Sequence, residues 1–159
     1  MNRAPKRFVD LVDGLRACRL CAADLPLGPR SVFQLDPGAR ILIAGQAPGR
    51  RAHERERPFD DPSGDRLRDW MGIGRAQFYD AARIAIVPMG LCYPGTGKGG
   101  DLPPRPECAA AWRRRVLAEL RHIELTLLIG RHAQAWHLGS EARDGVTATV
   151  SDWRRFAPQ

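Results

Sequence analysis

Two sets of residues in this chain combine reactive types with informative spacing. The first is its four cysteines, Cys18, Cys21, Cys92 and Cys108, arranged as C-x2-C, 70 residues, then C-x15-C. In a reducing compartment that pattern is one of metal ligands rather than disulfides. Four thiolates suit a zinc ion or an iron–sulfur cluster equally well. The second set is Gly45-Gln46-Ala47-Pro48-Gly49, followed eight residues on by Arg57-Pro58-Phe59. Glycine permits backbone angles that other residues avoid, and proline fixes its own, so Gly45 to Gly49 makes a tight turn. With no side chain on two of its residues, the turn lets a ligand lie against backbone.

The elements around these residues say where they must sit. Ile41-Leu42-Ile43-Ala44 is a short run of small or β-branched apolar residues, as in a parallel strand buried on both faces. The loop leaving the carboxyl end of such a strand is where open α/β sheets bind ligands. Upstream, Phe8, Leu11, Val12 and Leu15 share one face of a helix expected from Pro5 into Cys21. Downstream, Arg50 to Arg57 reads as a solvated loop or helix face, and Asp61-Pro62-Ser63 opens a helix ending at Gly72. Ile84 to Pro88 is a second strand, Leu91 to Pro106 a long loop, Glu107 to Arg121 a helix and Leu125 to Gly130 a third strand. A helix over Ala133 to Leu138 and a helical piece around Val150 to Phe156 complete the chain. Alternating strands and helices predict a parallel α/β sheet with right-handed crossovers.

The Gly45–Gly49 loop with Arg57-Pro58-Phe59 resembles motif A of the uracil-DNA glycosylase superfamily, most closely its iron–sulfur branch (family 4). That branch carries Gly-Glu-Ala/Gly-Pro-Gly with Arg-Pro-Phe at the same distance, and a C-x2-C and a C-x15-C in the same places. The resemblance covers nearly the whole chain. It implies a three-layer α/β/α fold and a [4Fe–4S] cluster on Cys18, Cys21, Cys92 and Cys108, with zinc as the alternative. It also implies DNA as partner and hydrolysis of the N-glycosidic bond of uracil, or a related deaminated base, in base excision repair. Gly45, Gln46, Ala47, Pro48 and Gly49 would form one wall of the base pocket, and Phe59 would stack on the flipped base.

The chain departs from that pattern at three places. Gln46 stands where the branch has glutamate, and Ala52-His53 replace an acidic pair, which leaves Gln46, His53 and Glu54 as the candidates for orienting or activating water. Pro88 falls where the family places an asparagine that reads the base edge; proline offers neither a polar side chain nor an amide hydrogen. Motif B, a last strand ending in His-Pro-Ser or His-Pro-Ala, is expected just past Gln159, so the chain is expected to be truncated or to have lost that strand. The competing readings are a catalytically impaired DNA-binding relative that keeps the cluster, and a zinc-stapled α/β protein of unrelated purpose.

Composition bounds these readings. A chain of 159 residues, 43% of them hydrophobic, is expected to form one domain with a real core. A formal charge of +7, carried mainly by arginine, suits a phosphate-bearing partner. Arg50, Arg51 and Lys98 are the candidate backbone contacts, Lys98 within the flexible loop Tyr93 to Arg105. No apolar run approaches a membrane span and the first residues lack a signal-peptide core, so a cytoplasmic monomer is expected. Gly95-Thr96-Gly97-Lys98-Gly99 is not a nucleotide-binding P-loop, because Gly99 stands where Ser or Thr must bind magnesium. His132 and His137 do not align as a zinc pair, and no Gly-x-Ser-x-Gly elbow is present.

Overall fold

The computed structural model describes residues 5–142 and 145–157. In chain order its main elements are α1 (Lys6–Ala17), β1 (Ile41–Ala44), α2 (Arg50–Arg55), α3 (Pro62–Met71) and α4 (Arg75–Phe78). They continue as β2 (Ile84–Ile86), β3 (Thr96–Gly97), β4 (Gly100–Asp101), α5 (Pro106–Glu119), β5 (Leu125–Leu128), α6 (Arg131–Leu138) and α7 (Val146–Ser151). β1 lies in the middle of a parallel sheet of order β2-β1-β5, with Ile41 beside Ile84 on one side and Leu125 on the other.

Because successive strand residues face opposite ways, each strand feeds two cores. Leu42, Ala85 and Val87 pack with Leu11 and Leu15 of α1 and Val116 and Leu120 of α5. Ile43, Ile84 and Ile86 pack on the other face with Leu67 of α3 and Phe78 of α4. The fold is therefore a mixed α/β one, a parallel sheet with helices on both faces. The outer edge of β2 is covered by Gln34, which bridges Ile86 through its backbone and donates its side-chain amide to the Phe78 and Ile84 carbonyls. Among the described residues β5 has a paired strand only on its β1 side. An apolar cavity of about 580 Å3 runs along it, bordered by Trp70 and Trp153.

Several elements differ from expectation in ways that bear on the site. α1 stops at Ala17, with Cys18 extended (φ −60°, ψ 133°), so the chain turns back between the first two cysteines instead of continuing as helix. Arg50 to Arg55 is a helix whose Ala52 and His53 are buried, not a wholly solvated face. The last helix starts at Val146, earlier than the sequence indicates, and is followed by a 3-10 turn at Trp153–Arg155. Among the described residues no helix is long and apolar enough to cross a membrane.

α3 matches its sequence reading closely. Asp61 caps it by accepting from the Gly64 amide, Pro62 occupies its first turn, and Gly72 ends it in the left-handed conformation (φ +65°). Gly64 is required for another reason: a Cβ there would lie 1.8 Å from the carbonyl oxygen of Phe59. Gly64→Ala must push the Phe59 backbone away, and is expected to cost about 1–3 kcal/mol or more of stability. Gly74→Ala, where a Cβ meets open space, is the control. Chemical denaturation of both variants checks the difference; equal midpoints would show that α3 tolerates the shift.

Candidate functional site

The loop after β1 is built against two neighbours. The carbonyls of Gly45 and Gln46 accept from the amides of Met89 and Gly90, each at 2.9 Å, joining the loops that leave β1 and β2. Gly45 packs closely on Phe59: a Cβ would stand 3.2 Å from its Cζ, so a larger residue would have to shift the ring by a few tenths of an ångström. Phe59 itself adopts φ +55°, a left-handed conformation that is uncommon for an aromatic residue and costs strain. Its surroundings hold it there. Gly64 leaves room for its carbonyl, Arg68 donates to that carbonyl at 3.2 Å, and its ring meets Phe78 edge-on at 6.2 Å.

Between these walls lies a cavity of about 140 Å3, lined by Gly45, Ala47, Pro48, Gly49, Phe59 and Pro88, together with Asp61, Ser63 and Asp101. It opens at the carboxyl ends of β1 and β2, as ligand sites in parallel sheets do. It is well below the ~300 Å3 at which drug-sized pockets begin, and suits a single ring rather than a whole cofactor. The larger apolar cavity along β5 shares Phe59 and Ser63 with it but is lined mostly by aliphatic and aromatic side chains. We place the candidate site in the smaller one, which gathers the polar groups.

Of the residues singled out in the sequence, Gly45, Ala47, Pro48, Gly49, Phe59 and Pro88 do meet at this cavity. The residues expected to handle water do not line it. Gln46 instead turns its side-chain amide to the Leu102 carbonyl at 3.4 Å. His53 is buried on the inner face of α2, its ring 6.0 Å from that of Tyr93, with Nδ1 unpartnered. Burial, helped by nearby Arg30, pushes its pKa below the ordinary value, so it is a neutral packed side chain. Glu54 is exposed. The carboxylates at the cavity are Asp61 and Asp101, which the sequence offered only as a helix cap and a loop residue. Their Oδ2 atoms lie 3.8 and 3.4 Å from the point where a Gly49 Cβ would stand. Arg50 and Arg51 are exposed at the start of α2, and Lys98 is exposed in the turn of the β3–β4 hairpin.

The four thiols line one further cavity, with Arg105, Ser31, Leu25 and Leu91. All four are free cysteines. Two N–H groups already point at the sulfurs: the Leu91 amide reaches Cys108 at 3.3 Å and Trp112 Nε1 reaches Cys18 at 3.3 Å, while Ser31 Oγ, 3.9 Å from Cys92, gives its proton to the Leu15 carbonyl. Burial raises the Cys92 and Cys108 thiols, Cys108 to about 11, with the other cysteines adding to the shift. Nε of Arg105 is buried without a partner. Among the described residues no group of three or more His, Cys, Asp or Glu is arranged to hold a metal ion.

Arg113, in a run that reads as a solvated arginine face, is buried at 2% exposure. It donates to the Val87 carbonyl at 2.6 Å and lies 2.7 Å from His137 Nε2, tying α5 and α6 to the strand end that carries Pro88. To accept from it, the imidazole must be neutral with its proton on Nδ1, leaving Nε2 free.

The family model of the Uracil DNA glycosylase superfamily matches residues 32–156, from the segment that edges β2 through α7. The chain belongs to that superfamily. The match covers the motif A loop, Phe59, both aspartates, Cys92 and Cys108. It carries with it a uracil-DNA glycosylase-like function at family level, which means DNA as partner and hydrolytic DNA repair as the setting. The C-x2-C cysteines lie before the matched region.

The Arg113–His137 contact generates a pH prediction. Burial, and then the Arg113 charge, push the His137 pKa from 6.5 to about 4. The unfolded chain therefore binds this proton first as pH falls, and the histidine's contribution to stability, complete above about 6.5, is lost on the way down to about 4. The ring-proton shifts of His137 should titrate near 4 in the folded protein. Titration near 6.5 would show that His137 is not buried against Arg113.

Proposed function

We propose that this protein is a DNA glycosylase that hydrolyses the bond between deoxyribose and uracil, or a related deaminated base. The observation that carries this reading is the ring-sized cavity walled by Gly45–Gly49 and Phe59, in a chain of this superfamily. A base can reach it only after leaving the stack. Phe59 would offer it a flat apolar face, and Gly45 and Gly49 would let it lie against backbone. Pro88 gives that edge of the base no amide donor, so selection there rests on shape and on acceptor groups. Arg50, Arg51 and Lys98 would take phosphates, a role that fixes position rather than sequence.

Further, we propose that Cys18, Cys21, Cys92 and Cys108 hold an iron–sulfur cluster of the [4Fe–4S] type. What supports this is the donor set: four free thiols around one cavity that Arg105 also lines, and N–H groups directed at two of the sulfurs. Hydrogen bonds to the sulfurs are how proteins tune such clusters. The same four thiols would also suit a single zinc ion, so the choice of iron–sulfur rests on the likeness of their spacing to the iron–sulfur branch. Bound there, the cluster would supply a covalent tie between the end of α1, the loop after β2 and the start of α5. The chain's own part is to shield it with Leu25 and Leu91 and to bond its thiolates.

The activity is tested by base release from a uracil-containing oligonucleotide, with hypoxanthine and xanthine in parallel. Release is expected, and Phe59→Ala should slow it by about 10²-fold, as loss of a positioning group does. Retained DNA binding with no base released would favour the catalytically impaired relative.

For the cluster, anaerobically purified protein should be brown and contain iron and inorganic sulfide in equal amounts. Any one of the four Cys→Ser changes should lower both. Zinc at one equivalent with no iron would overturn the assignment.

A further inference from the structure

The sequence supplies no acid in the motif A loop, where Gln46 stands and turns away from the cavity. Cleavage of a glycosidic bond nevertheless develops positive charge on the sugar, which needs a fixed negative partner and a water with somewhere to send its proton. Resting on the glycosylase reading, we infer that Asp101, on the β3–β4 hairpin, is the catalytic carboxylate and that Asp61 is its fixed companion.

The two aspartates flank Gly49, with one oxygen of each held and the other turned towards the cavity. Oδ1 of Asp61 accepts from Ser63 Oγ at 2.5 Å and from the Gly64 amide at 3.0 Å, while Oδ2 faces Gly49. Asp61 also caps α3, so its Oδ1 is committed to the start of that helix. Asp101 differs. Its Oδ1 accepts from the Thr96 hydroxyl at 3.2 Å, and Thr96 Oγ1 in turn lies 2.5 Å from the hydroxyl of Tyr93. Tyr93 is almost wholly buried, at 1% exposure. With its hydroxyl donating to Thr96, and Thr96 donating to Asp101, the chain of bonds sets the carboxylate from a fixed anchor.

Both carboxylates approach one point beside Gly49: its Cβ position lies 3.4 Å from Asp101 Oδ2 and 3.8 Å from Asp61 Oδ2. That space suits a water or the sugar's anomeric carbon. In the step we assign, a water placed there attacks C1′ of the deoxyribose. The C1′–N bond breaks, its electron pair leaves with the base, and the water proton passes to Asp101. The base anion then takes a proton from solvent, and Asp101 returns its own.

Two measurements on the purified full chain separate this assignment from the glycosylase reading. The first is binding to oligonucleotides carrying either a cationic pyrrolidine or a neutral tetrahydrofuran at the abasic position. The chain is expected to prefer the cation by about 10-fold or more, as transition-state mimics are preferred. Asp101→Asn should abolish that preference with affinity for the neutral oligonucleotide unchanged, and Tyr93→Phe should reduce it. The second is single-turnover base release, which Asp101→Asn should slow by about 10²–10⁴-fold with loss of the acid limb of the pH profile. A chain that shows the Asp101-dependent cation preference but releases no base upholds the carboxylate's placement and defeats the glycosylase reading. A chain that releases base while Asp101→Asn keeps both rate and preference overturns the assignment of Asp101.

Discussion

The whole candidate site hangs on one close approach, that of α3 to the backbone of Phe59. A Phe59 in the left-handed region stays there only because Gly64 leaves room for its carbonyl, and Arg68 then bonds that carbonyl. From this follow the direction of the ring, its contact with Gly45, and the width of the cavity between them. Strain of this size persists only where the surroundings over-determine it, and such places cluster at binding sites. The same helix start holds Asp61, so one turn of α3 both shapes the apolar wall and fixes a charge beside it.

The opposite wall depends on burial of a charge. Arg113 satisfies the Val87 carbonyl at the end of β2 and presents its other arm to His137. Removing a guanidinium so placed would leave buried acceptors without donors, at a cost of about 1–3 kcal/mol for each. Its pKa is pushed down to about 10, still far enough above neutral for the charge to persist. The contact links α5 and α6 through the strand end that leads into Pro88, so a polar junction inside an otherwise apolar core holds that wall residue in place.

Much of this was legible from residue order, and what was not has identifiable causes. The run Ile41–Ala44, the caps Asp61 and Gly72, and the strand before Pro88 carry their structure in local chemistry. Local chemistry also hid things. His53 sits among arginines and glutamates, which mask that it shares the buried face of α2 with Ala52. Arg113 looks like part of a solvated Arg113-Arg114-Arg115 run. Yet Ala109, Val116 and Leu120 fall at helical spacing from it on the packed side of α5, and that stripe was the available signal. The meeting of Asp61 with Asp101 had no signal at all. It is made by a crossover and a hairpin, and nothing in either neighbourhood points to the other.

The site thus combines a buried half with an exposed half. Gly45 to Gly49, Phe59 and Asp61 are tied to the sheet and to α3 by backbone bonds and by packing on both sides. Asp101 rides on two exposed two-residue strands, with Lys98 in the turn between them. Exposed backbone with few buried contacts opens at low cost, and elements that close on ligands are drawn from such segments. The hairpin is nevertheless anchored at its base, where Tyr93 is buried and holds Thr96. Just before Tyr93 stands Cys92, in the thiol cavity with Cys108, and Cys108 opens α5. Any tie made through those thiols would therefore stiffen both roots of the loop that carries Asp101. The cysteines and the carboxylate, so far apart in kind, act on the same stretch of backbone.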